Sequence, residues 1–326
     1  MRSLRTLLVL ALLISVAACS GTTASQAPAS APSSEPSAAT SPSGDKIKIG
    51  LITKFPVDFF FVIENAAKDW AAGHPEVELI TGQGKAGNDH EGQIALIESM
   101  VAQGVKGIAV TPTGPQVQPA LDTAVAAGVK IVLIDNDLPD WSGKSAVVAT
   151  DNHAGGVLAG QWLKDQLAAG DTLGVLEGVA GVPALDARVK GMIEGLGGLE
   201  VEIVQKLPTD CDQVKGQDAA DAILTANPDV KAIYGACGPP IIGALQSIEN
   251  ADRAPDSIIV VGFDASPDEL AAIEAGTEDA SVAQFPAKMG ELGVDTLLKV
   301  INGESVEALV DTGTAIVTAD NVAEFK

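Results

Sequence analysis

Val117-Gln118-Pro119-Ala120-Leu121-Asp122-Thr123-Ala124-Val125-Ala126-Ala127-Gly128-Val129-Lys130-Ile131-Val132-Leu133-Ile134-Asp135-Asn136-Asp137 carries one complete unit of the pattern that decides the fold. Val117, Leu121 and Val125 recur at the spacing of a helix with one apolar face. Ala127-Gly128 closes that helix, since glycine adopts the left-handed conformation of a helix end at little cost. The run from Lys130 to Ile134 is then almost wholly apolar, as a strand buried on both faces must be. It stops at three polar side chains, Asp135, Asn136 and Asp137.

The same unit repeats along the chain. Apolar runs predict strands at 47–52, 77–80, 108–110, 130–134 and 146–149, then at 172–176, 201–205, 232–234, 258–261 and 280–283. Helical stretches such as Ile94, Ile97 and Val101 lie between them. Alternation this regular implies parallel sheets covered by helices on both faces. Its division into two sets predicts an α/β protein of two doubly wound parallel-sheet lobes, with the break near Thr150-Asp151-Asn152. The composition agrees: 46% of residues are hydrophobic but only 3% aromatic, so the core is built from Val, Ile, Leu and Ala.

Ahead of the first strand, Arg2 and Arg5 precede an apolar run at 7–16 and the small residues Ala17 and Ala18, the order of a secretory leader. That run is shorter than the about 20 apolar residues of a spanning helix. Residues 1–18 are therefore expected to be a signal peptide. Val16-Ala17-Ala18-Cys19 resembles the bacterial lipobox, which implies that Cys19 is lipidated and that the chain is anchored to the bilayer outside the cytoplasm. Residues 19–44, almost entirely Ser, Ala, Pro, Thr and Gly, are expected to form a flexible tether. The formal charge of −23 grows more negative once Arg2 and Arg5 leave with the leader. Such a field repels nucleic acid, so no nucleic-acid partner is expected. His74, His90 and His153 lack ligand-like spacing, and neither a metal nor a cofactor is expected.

Open parallel sheets bind ligands beyond the carboxyl ends of their strands. Those ends carry Thr53 with Asp58, Phe59 and Phe60, then Thr111, then Asp135 and Asn136; in the second set they carry Cys237, Asp264 and Gln284. Carboxylates and amides pair with hydroxyls while aromatic faces cover C–H surfaces, so the set suits a polyhydroxyl ligand. The carboxylates at Asp58, Asp135, Asp186 and Asp264 would also admit a cationic ligand such as an amino sugar. Gly82-Gln83-Gly84-Lys85-Ala86-Gly87 has dinucleotide-loop spacing, but follows the second strand, and the next strand ends in Thr111-Pro112 without an acid. It is read as a loop at the cleft edge, from which Lys85 and Asn88 could reach the ligand. No G-x-S-x-G elbow occurs, and Asp135 and Asp264 would sit on opposite lobes, a poor arrangement for fixed acid–base chemistry. An enzyme is not expected.

The stretch Val260-Val261-Gly262-Phe263-Asp264-Ala265-Ser266-Pro267-Asp268, with Val282-Ala283-Gln284-Phe285-Pro286, resembles the periplasmic sugar-binding proteins of the ribose-binding type, the solute receptors of ABC importers. Thr150-Asp151-Asn152 with Gly155-Gly156, Asn227 to Tyr234, Arg188 to Met192, and Asp58-Phe59-Phe60 extend the likeness across 46–326. It implies a periplasmic binding protein-like fold of type I, with a three-crossing hinge joining lobe one (45–150 and 285–311) to lobe two (151–284 and 312–326). It implies a sugar or polyol receptor that serves ABC permease subunits or, alternatively, presents its ligand to a membrane sensor or chemoreceptor. Asp264 and Gln284 fall on the family's ligand-binding positions.

Several positions depart from the family. Asp186 stands where ribose receptors carry a binding arginine, and Arg188 aligns with the following, mainly structural one. Cys211 replaces an aromatic residue over the sugar, Cys237 and Val57 replace asparagines, and Asn136 replaces an arginine. The ribose site is thus not preserved, and a smaller polyol or a differently oriented monosaccharide fits better. Because Cys211 and Cys237 both align with ligand-touching positions, the likeness implies that they are neighbours and form a disulfide.

Overall fold

The computed structural model describes residues 45–254 and 257–326; the leader 1–18, the tether 19–44 and Cys19 lie outside the described residues. In chain order the elements are β1 (Ile47–Thr53), α1 (Asp58–Ala72), β2 (Val77–Gln83), α2 (His90–Ala102), β3 (Gly107–Val110), α3 (Gln118–Ala126), β4 (Lys130–Ile134) and β5 (Ala146–Ala149). They continue with α4 (Asn152–Gln166), β6 (Thr172–Glu177), α5 (Pro183–Gly195), β7 (Glu202–Pro208), α6 (Gln213–Ala226), β8 (Ala232–Gly235), α7 (Gly238–Asn250) and β9 (Ile259–Asp264). The last are α8 (Pro267–Ala275), β10 (Ala280–Ala283), α9 (Pro286–Ile301), β11 (Leu309–Asp311) and β12 (Ala315–Thr318).

The strands form two six-stranded sheets, ordered β2-β1-β3-β4-β5-β11 and β7-β6-β8-β9-β10-β12. The pairings are parallel except at β12, which runs antiparallel to β10. Both sheets therefore have the expected doubly wound architecture, each closed at one edge by a short strand from the end of the chain. Those edge strands escape a reading based on apolar runs because they are only three and four residues long and largely unburied. The chain passes between the sheets after β5, after β10 and after β11.

Parallel register places the strand ends side by side. Thr53 pairs with Gln83 at the end of β1 and β2, and Asp264 pairs with Ala283 at the end of β9 and β10. The loops that follow therefore emerge from a common edge of each sheet. Beneath them the central strands are fully buried: Ile131–Ile134 in one sheet and Val260, Val261 and Phe263 in the other.

Helices α4 and α5 meet backbone to backbone. A Cβ added to Gly160 would collide with the Met192 carbonyl oxygen, and one added to Gly191 would collide with that of His153. This contact sets the height of α5 on α4 and, with it, the position of Arg188, one turn before Met192. Gly160→Leu or Gly191→Leu should therefore destabilise the second lobe by roughly 1–3 kcal/mol, the usual cost of overpacking. Denaturant unfolding of the soluble domain measures this, and an unchanged midpoint would contradict the close contact.

Candidate ligand-binding cleft

The side chains at the carboxyl end of the second sheet converge on one carboxylate. Asp264 and Ala265 have φ of 107° and 47°, a region that residues with a Cβ seldom occupy. The turn points the Asp264 side chain out of the strand end, where it accepts from Gln284 Nε2 at 2.6 Å, Arg188 Nη1 at 3.1 Å and the Gly238 N–H at 3.4 Å. Gly238 opens α7, so the carboxylate also lies at a helix N-terminus, where the exposed amides favour an anion. Arg188 is 6% exposed. Its Nε donates to Asn152 Oδ1 at 2.8 Å and its Nη1 to the Ala236 carbonyl at 2.9 Å. The guanidinium lies 3.8 Å from the Phe263 ring centroid, a cation–π contact inside the protein.

The first sheet supplies a matching half. Asp135 leaves β4 with φ of 65° and is held by its backbone N–H on Val148 O at 2.9 Å. Asn136, with its amide oriented to satisfy both neighbours, donates to Asp135 Oδ2 at 2.8 Å and accepts from Lys54 Nζ. Burial pushes the Asp135 carboxyl above its ordinary pKa, opposed by Lys54 and then by Arg188, while Asp264 raises it further. Burial likewise lowers the Lys54 pKa, with Asp135 opposing. Because Arg188 and Asp264 act electrostatically on Asp135, the two sheet ends face each other across one cleft. Each of the two central carboxylates has a base beside it, Lys54 for Asp135 and Arg188 for Asp264, and the adjoining cavity is lined in addition by Asp137, Asp151 and Lys144.

Around this centre, Thr53 is buried and its hydroxyl accepts from Gln83 Nε2 at 3.2 Å. Phe59 is half-buried and meets Phe60 edge to face at 5.3 Å between ring centroids. Phe60 itself belongs to the core of the first lobe and forms the base on which Phe59 rests. Asp58 and Asp186 are exposed, in the first turns of α1 and α5. Cys211 and Cys237 form a disulfide with their Cα atoms 5.8 Å apart, so the bridge expected from the family positions is present. It joins the loop after β7 to the residue just ahead of α7, next to the Gly238 N–H that meets Asp264. A cavity of about 550 Å³ opens beside Asp135 and Asn136, bounded by Thr150 and Asn152 and by the start of α5 at Ala184 and Ala187.

The glycine-rich loop is already occupied by the chain itself. The Asp89 carboxylate accepts from the Lys85 N–H at 2.9 Å and the Gly92 N–H at 3.1 Å, and these bonds hold its pKa below the usual value. The amides that a nucleotide phosphate would need are thus spent on a side chain. Gly84 is required for a different reason: a Cβ there would collide with Lys54 O. Lys85 and Asn88 are exposed on this loop.

Sequence reasoning did not single out Lys54, Asn152 or Arg188 as part of the cleft. Lys54 directly follows a strand, a signal that was legible. Arg188 lies inside a helix, and only the fold shows that it reaches Asp264; it is structural, as its alignment implied, but also in direct contact with the cleft carboxylate.

Two parallel sheets with their carboxyl ends opposed across a polar cleft define the two-lobed, type I periplasmic binding protein architecture. A periplasmic binding protein domain matches residues 49–305, and the chain belongs to that family. The ribose import binding protein RbsB of Escherichia coli is 30% identical over 222 residues, covering 68% of this chain and 74% of the relative. The D-ribose/D-allose-binding protein of Pseudomonas aeruginosa is 29% identical over 295 residues, covering 87% and 92%. The crystal structure of a periplasmic ribose ABC transporter from Conexibacter woesei superposes with a TM-score of 0.80 at 26% identity, covering 86% of this chain and 94% of that one.

Replacing both Cys211 and Cys237 with serine should lower stability by about 3.5 kcal/mol, the chain-entropy value for so long a loop. Chemical denaturation under non-reducing conditions checks this. A change below about 1 kcal/mol would mean that the surrounding packing holds the loop without the bridge.

Proposed function

We propose that this chain is an extracytoplasmic solute receptor, lipid-anchored through Cys19, that binds a small neutral sugar or polyol between its lobes and delivers it to an ABC importer. The pairing of each central carboxylate with a base carries this reading. Lys54 offsets Asp135 in one half and Arg188 offsets Asp264 in the other. A site rich in paired acceptors and donors fits hydroxyls, whereas a cationic ligand would find the two central carboxylates already engaged. Relatives named for ribose and allose support the ligand class, and they are transport receptors, not enzymes.

In the mechanism, Asp135 and Asn136 hold hydroxyls from the first lobe, with Phe59 covering a C–H face. Asp264 and Gln284 hold hydroxyls from the second lobe, and Arg188 orients the Asp264 carboxylate. Cys211–Cys237 forms a weakly polar wall where ribose receptors place an aromatic ring. A ligand touching both halves binds the closed form better than the open one, so its binding energy drives closure. The importer then recognises the closed geometry.

Asp135→Ala and Asp264→Ala should each weaken binding more than tenfold while preserving the circular dichroism spectrum. Isothermal titration with D-ribose, D-allose, other pentoses and hexoses, and simple polyols tests this; unaltered affinity in both variants would place the site elsewhere. Cys19→Ser should move the protein from the detergent phase to the aqueous phase of cell extracts, because the acyl chains supply the attachment. Persistent membrane association of that variant would contradict lipid anchoring.

A further inference from the structure

Behind Asp264 lies a second pair of acids. Glu269, in the first turn of α8, is wholly buried, and Glu278, just before β10, is 2% exposed. Both side chains reach over Gly262, where an added Cβ would collide with Glu269 Oε1 and with Glu278 Oε1, so these oxygens are neighbours. No other residue than glycine at 262 leaves room for them.

Glu269 is tied to the turn that presents Asp264. Its Oε2 accepts from the Ser266 N–H at 2.8 Å, and its Oε1 accepts from Ser281 Oγ at 2.8 Å. Ser281 Oγ in turn accepts from the Ala265 N–H at 3.0 Å. The amides that follow Asp264 through its left-handed turn are therefore both satisfied by Glu269, one directly and one through Ser281. The charged groups facing this pair are themselves acids: Asp264 at the end of β9 acts on Glu269, and Asp279 ahead of β10 acts on Glu278. The Gly238 backbone at the start of α7 closes the remaining side. Glu278 faces the Gly262 N–H without a hydrogen bond of regular geometry, leaving its carboxyl available to a proton.

We propose that Glu269 and Glu278 hold a proton between them, that Glu269 is a positioning residue for Asp264, and that loss of this proton loosens the Asp264–Ala265 turn and weakens ligand binding at alkaline pH. The link to binding rests on the sugar-receptor reading, whereas the link to the turn does not. Two buried carboxylates with no cation between them among the described residues repel strongly, and one proton relieves that repulsion. Burial, and then Asp264, push the Glu269 carboxyl up to about 8, and burial with Glu269 raises Glu278 well above its ordinary value. An unfolded glutamate titrates near about 4.3. The folded state thus holds the proton more tightly, so its stability is greatest below that value and declines as pH rises toward about 8.

The test uses the ligand-free soluble domain, so an error in the sugar assignment cannot affect it. The Ala265 and Ser266 amide resonances are followed from pH 6 to 10 in the wild type, Glu269→Gln and Glu278→Gln. A glutamine at either position keeps the size of the side chain and the single negative charge of the proton-sharing pair. In the wild type both amides should shift with one alkaline midpoint, and the melting temperature should fall across the same range. Both variants should fold and lose that step, while Glu269→Ala should broaden the two amides at every pH. Amides that stay fixed in the wild type, or an alkaline step that survives in either glutamine variant, would overturn the proposal.

Discussion

The structure depends on one buried guanidinium. Arg188 is linked to Asn152 at the start of α4, Ala236 after β8, Asp264 after β9 and the Phe263 ring. An arginine cannot shed its charge, so burying it obliges the surroundings to supply acceptors and a counter-charge. Its net worth to stability is small, because desolvation offsets attraction, but removing one partner leaves the other buried and unpaired at a cost of about 3–5 kcal/mol. The ion pair therefore acts chiefly as a positional constraint. It holds the helix pair α4–α5 and the ends of two central strands in one register, and fixes the Asp264 carboxylate at the cleft surface.

The opposite lobe repeats this arrangement with a weaker cation. Lys54 is linked through Asn136 to Asp135, on the far side of the cleft from Arg188. Each carboxylate thus has a base of its own and also feels the charges of the other lobe. A ligand entering the cleft replaces water around acids that are already partnered, so it need not bring charge. The glycine-rich loop follows the same logic, with Asp89 filling the nest of amides that might otherwise hold an anion. At both of these places, the start of α7 and the glycine-rich loop, the chain supplies the carboxylate from within.

Most of the fold was legible in the sequence, because buried parallel strands are short apolar runs and their helices keep a regular apolar spacing. The stretch 117–137 already contained helix, glycine stop, strand and polar end. The edge strands β11 and β12 were hidden, being short, partly exposed and stabilised by pairing rather than by burial. Within the cleft, residues directly after strands, such as Asp135, Asn136, Asp264 and Gln284, could be read from position alone. Arg188 and Asn152 could not, since they belong to helices and reach the cleft only through the α4–α5 contact. Glu269 and Glu278 resemble ordinary surface acids in sequence, and only the space above Gly262 shows that they are interior.

The central claim is that the two central carboxylates of the cleft are each partnered by a base, and that the cleft therefore selects a neutral polyhydroxyl compound. Its most direct test is a competition titration of the soluble domain with neutral monosaccharides and polyols against their amino-substituted counterparts, at low and high salt. The account predicts that a neutral compound binds, that its affinity is insensitive to salt, and that its amino counterpart binds more weakly. An amino compound that binds more tightly than its neutral parent, with affinity falling as salt rises, would contradict it.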